Sequence, residues 1–147
     1  MTYITLDTKK RLEAAGFSFP DYEEFLNLGM VYSYQEDEYV IGGFCNSEYS
    51  QKDEEVYQHG DWLPDSNQLL QWLQQCGFDI SVRWNAQECS FYISATKQEY
   101  GEFEARGIDL ADGLASVIYK ICKATQGKCV PKRMFRLEIQ NDDTCDL

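Results

Sequence analysis

The chain has 147 residues, 44% of them hydrophobic and 14% aromatic, which supplies one packed core and excludes global disorder. Its formal net charge of −12, from 25 acidic and 13 basic residues, repels phosphate backbones and anionic membranes, so nonspecific nucleic-acid binding and membrane partners are not expected. No apolar run approaches the ~20 residues that span a bilayer.

Met1-Thr-Tyr-Ile-Thr-Leu6 lacks a charged segment followed by an apolar one, which predicts no secretory signal and a reducing cytoplasm. Leu6 to Gly16 reads as a helix, capped by Asp7 or Thr8 and closed by Gly16. Pro20 to Gly29 reads as a second, with acids in its first turn. Residues 30–34 and 38–41 are strand-like around the polar Gln35-Glu-Asp37, a hairpin pattern that ends at Gly42-Gly43. Residues 45–61 are polar and acidic with no sustained period, and predict a long loop.

From Trp62 the periodicity is stronger. Asp65 or Ser66 caps a helix over 67–77 whose Leu69, Trp72, Leu73 and Cys76 share a face. Residues 78–84, 90–94 and 100–105 read as three strands, the last nearer an edge because of its charges. Residues 109–124 form the clearest helix: Leu110, Leu114, Val117, Ile118 and Ile121 fall on one side, with Asp109 and Asp112 at the start and Lys120 and Lys123 near the end. The tail, 128–147, is basic around Pro131, offers one strand at 134–139 and then frays. Acidity is concentrated early: residues 1–64 hold 13 acids against 4 bases, whereas 65–127 hold 8 against 5.

Trp62 to Ala124 thus reads helix–strand–strand–strand–helix, burying Leu69, Leu73, Ile80, Val82, Phe91, Ile93, Leu114 and Ile118 between two helices and a meander. Trp62-Leu-Pro with its helix, the aromatic strand pair and the final Ala/Leu helix resemble the phage and prophage α/β/α-sandwich domain family, of unknown function. The likeness spans under half the chain and implies a phage-related origin. The element order also resembles the double-stranded RNA-binding domain, which holds phosphates with lysines at the start of its last helix. Here that position reads Gly107-Ile-Asp-Leu-Ala-Asp112, so the resemblance implies topology and not RNA binding. A meander followed by a helix is similar to HicB-type antitoxins as well.

Chemistry-bearing residues are sparse. The six cysteines (Cys45, Cys76, Cys89, Cys122, Cys129, Cys145) include no CxxC and predict free thiols, with Cys76, Cys89 and Cys122 as small core residues. His59 is the only histidine; beside Asp61 it reads as a loop residue, or as half of a Cys–His pair with no third group identifiable. Glu36-Asp-Glu38 and Asp53-Glu-Glu55 lack the spacing of a calcium loop and read as solvated acidic faces. Trp62, Trp72 and Trp84 are expected in the core. Tyr32, Tyr34 and Tyr39 read either as cross-strand pairs or as recognition aromatics among acids.

These features predict a single α+β domain, an antiparallel sheet with helices packed on it, with an N-terminal helical and hairpin region. The leading functional expectation is a non-enzymatic interaction protein that binds a basic protein surface through Tyr34, Glu36, Glu38, Tyr39, Asp53, Glu54, Glu55 and Tyr57, imitating nucleic-acid charge in a basic groove. The alternatives are a small enzyme or nucleotide-binding module using His59 and a cysteine, and a homo-oligomeric or antitoxin-like accessory protein. No catalytic residue, metal or cofactor is assigned.

Overall fold

The computed structural model describes residues 3–18, 29–43 and 50–131. The expected helix at 20–29, the strand at 134–139, and Cys45 and Cys145 lie outside them, apart from Gly29. The first element, α1 (Leu6–Ala14), is capped by Thr5, whose hydroxyl accepts from the Thr8 amide. Neither Asp7 nor Thr8 is the cap, since both already lie in the first helical turn. Strands β1 (Val31–Tyr34) and β2 (Asp37–Val40) form the expected hairpin, with Tyr32 opposite Tyr39. Gln35 and Glu36 have φ of 51° and 69°, as a two-residue turn matched to strand twist requires.

The expected loop at 45–61 is corrected over 50–61 by a helix and a strand, while 45–49 lie outside the described residues. Ser50 and Asp53 make a reciprocal capping box that starts α2 (Gln51–His59), and β3 (Asp61–Leu63) then pairs with β1. The helix has only Asp53 and Val56 buried, so a cap and one apolar contact define it and no repeating apolar face announces it. The small antiparallel sheet runs β2-β1-β3.

The second half follows its predicted order. Asp65 and Gln68 form the capping box of α3 (Ser66–Gln75), the meander is β4 (Asp79–Asn85), β5 (Ser90–Lys97) and β6 (Gly101–Gly107), and α4 (Leu110–Thr125) is capped by Asp109. The sheet order is β4-β5-β6. Both α3 and α4 pack on it, with α1 against α4. Trp72, Leu69, Leu73, Ile93, Leu114, Ile118 and Ile121 are fully buried in one cluster with Ile4, Leu12 and Phe17 of the N-terminal segment. Each such side chain contributes roughly 1.5–3 kcal/mol on burial. Met30, Tyr32, Ile41 and Val56 form a separate, smaller cluster under α2.

Two core expectations are corrected at β4. Val82 and Trp84 share a face with the buried Ile93, yet they are 44% and 50% exposed. The cause is the placement of α4, which lies mostly over β6 and leaves the far half of β4 uncovered. There the inner face of β6 carries only Ala105 and Gly107, and Gly113 of the helix meets Gly107. Trp62 is half-buried and only Trp72 is fully enclosed.

Candidate functional site

The acidic residues singled out in sequence collect on the small sheet and α2. Tyr32, Tyr39 and Trp62 are register partners on β1, β2 and β3, so their side chains share one face, and Tyr34 lies two residues along it. Val56 of α2 packs on this face with Tyr32. Tyr57 follows, with its ring 6.3 Å from that of Tyr32 and 39% exposed. The Tyr34 hydroxyl donates to the Glu55 carboxylate, which pushes the phenol above its usual range. Lys52 stands 5.1 Å from the Tyr34 ring centre and 3.9 Å from Glu55. This places Tyr34, Tyr39, Glu55 and Tyr57 together around one helix.

Asp53 belongs elsewhere. It is 2% exposed and accepts from the amides of Gly42 (3.0 Å) and Ser50 (2.7 Å) and from the Ser50 hydroxyl (3.0 Å). Burial alone would raise its pKa, but these donors and the Tyr39 hydroxyl outweigh it and hold the carboxyl below its ordinary value. Asp53 is therefore a brace that ties α2 to the end of the hairpin, not a surface contact. Glu38 lies on the opposite sheet face from Tyr39 and accepts from the Tyr3 hydroxyl at 2.6 Å, a bond that raises the phenol. Glu36 and Asp37 form the exposed hairpin tip and engage no partner side chain among the described residues.

The electrostatic contrast is sharp. From Gly29 to Leu63 the described residues hold seven carboxylates and a single lysine, and every carboxylate except Asp53 is exposed. From Pro64 to Pro131 there are eight carboxylates against six bases. Asp61, in sequence simply a neighbour of His59, belongs to this surface because β3 sets it beside Ser33.

The ingredients of an enzyme are dispersed. His59 ends α2 in the open, whereas Cys76, Cys122 and Cys129 lie in the main core. Cys89, expected in the core, is corrected: it is exposed in the turn between β4 and β5 with φ 49°. An open groove of about 490 Å³ runs between α1 and α4, lined by Thr8, Arg11, Asp112, Ser116 and Tyr119 among others. A smaller one, about 190 Å³, lies over Arg83, Tyr92 and Glu104. His59 lines neither. Among the described residues no group of three His, Cys, Asp or Glu side chains is arranged to hold a metal ion, and no helix is long and apolar enough to cross a membrane. At the start of α4, Asp109 accepts from the Asp112 amide at 2.9 Å, so this helix opens on a carboxylate cap.

Comparison of the chain with protein-family models, with curated proteins and with solved structures finds no match.

Proposed function

We propose that this chain is a non-enzymatic interaction protein that presents its small sheet and α2 to a basic surface of another protein. The supporting observation is the concentration of six exposed carboxylates (Glu36, Asp37, Glu38, Glu54, Glu55, Asp61) against Lys52 alone. Tyr34 and Tyr57 stand among them and supply contact area with little rotamer freedom to lose. Complementary charge of this kind raises association rate and selects partner sign. A groove that ordinarily takes a nucleic-acid backbone has the matching charge, so such a partner is favoured. An origin in phage or prophage accords with that role.

The test compares partner capture from cell lysate by the wild type and by Glu36→Lys/Glu54→Lys/Glu55→Lys. Asp53 is left intact because it holds the fold. Loss of a captured partner, with the fold retained by circular dichroism and capture by the wild type weakening as salt rises, is expected. Equal recovery by both proteins would remove the acidic surface from the mechanism.

A further inference from the structure

The outer edge of β4 is unpaired among the described residues, since β4 pairs only with β5. Natural sheets protect such edges with proline, bulges, charged side chains or a covering element, and among the described residues β4 carries only the opposed charges of Asp79 and Arg83. Residues 79–85 contain no proline, and all seven pair in unbroken register with β5. On one face the strand carries Ile80, Val82 and Trp84, with Val82 and Trp84 substantially exposed. On the other it carries Asp79, Ser81 and Arg83, all exposed.

This pattern is complementary to itself when run antiparallel. A two-fold axis at Ser81 sets Asp79 opposite Arg83 twice, and Ile80 opposite Val82 twice. Every side chain stays on its own face, because the shift preserves the two-residue alternation. Opposite charges in directly facing positions stabilise an antiparallel pair, and facing apolar side chains bury one another. The strand's own charges cancel, so this edge avoids the acidity that makes the rest of the chain repel its copies. Arg83 already lies 4.9 Å from the Tyr92 ring on the same face and remains exposed, which leaves its guanidinium available across the edge.

We propose that a second copy of this chain pairs along β4, joining two three-stranded sheets into one six-stranded sheet and covering Val82 and Trp84. The surface is distinct from the acidic one on α2 and the hairpin, so a dimer presents two such surfaces.

The test is sedimentation equilibrium of the full chain at physiological salt, from micromolar to hundreds of micromolar. A reversible monomer–dimer equilibrium is expected. Arg83→Asp and Asp79→Arg each place like charges opposite one another at two positions and should weaken the dimer on the order of tenfold. The double variant Asp79→Arg/Arg83→Asp re-pairs them and should restore wild-type association. Val82→Lys, which changes the other face, should abolish it while circular dichroism confirms the fold. A wild type that stays monomeric throughout overturns the proposal. So does a dimer indifferent to the single reversals, or one that the charge swap fails to restore.

Discussion

The backbone of Gly107 at the end of β6 rests against that of Gly113 in the first turns of α4: a Cβ on Gly107 would stand 2.6 Å from the Gly113 Cα and 2.9 Å from the Asp109 carbonyl oxygen. Strand and helix meet there as backbone on backbone. A methyl group has no flexible neighbour to displace, so the whole N-terminal end of α4 must lift.

Gly107→Ala should therefore cost about 3 kcal/mol or more, at the upper end of overpacking. Gly113→Ala makes an informative contrast. Its Cβ would meet Ile93 Cγ1 at 3.0 Å and Cδ1 at 3.2 Å, side-chain rather than backbone atoms and less close than those at Gly107, and alanine favours the helix. Its cost should be about 1 kcal/mol or less. Urea unfolding of the two variants measures the difference. Equal, small losses would show that α4 does not sit this closely on β6.

Asp53 links acid sensitivity to one small substructure. Its carboxylate holds the Ser50 cap and the Gly42 amide together, so Asp53→Ala should destabilise by about 2 kcal/mol, as lost caps and orphaned amides do. The sign of the pH effect follows from its depressed pKa. The folded form releases the proton more readily than an unfolded aspartate at about 3.9. The contribution is thus complete above that value and is lost as pH falls through the lower folded value. Asp53→Asn should be less stable than wild type at neutral pH, and the gap should close below about pH 4. Urea titrations at several pH values measure it, and a gap of constant size would rule out the ionised brace.

The second half of the chain was legible because its signals repeat. Leu110, Leu114, Ile118 and Ile121 mark one face of a helix many times over, and the alternation through Ile80, Val82 and Trp84 marks a strand. Alternation fixes which face a side chain takes but not whether a helix covers it, and so it places Val82 and Trp84 in a core they do not reach. In the first half, α2 offers one capping box and one buried valine, too little to form a period. The Ser50-x-x-Asp53 spacing was the available signal. The same spacing explains why Asp53 looks like its exposed neighbours in sequence while serving the fold. Cys89 departs from its expected burial for a related reason. It sits between two strand patterns, and nothing in them reveals that the turn swings it outward with positive φ.

The cysteines give the last expectation. Cys76, Cys122 and Cys129 are buried in one cluster at the C-terminal ends of α3 and α4, and Cys89 alone of the four described thiols is exposed. Burial, reinforced by Cys129, pushes the Cys76 thiol far above its usual range and Cys122 to about 12. The thiolate is the reacting species, so both are chemically silent at neutral pH even before access is considered. In native protein at pH 8, an aromatic disulfide reagent should label Cys89 within the mixing time of a manual experiment. Cys76, Cys122 and Cys129 should react only through opening of the core, more slowly by roughly a thousandfold or more, since the folded state opens rarely. In denaturant all four should react alike without prior reduction. Peptide mapping after timed labelling distinguishes the sites. Labelling of Cys76 or Cys122 as fast as Cys89 in the native protein would show that α3 and α4 do not close this core, and labelling in denaturant that required a reductant would show paired rather than free thiols.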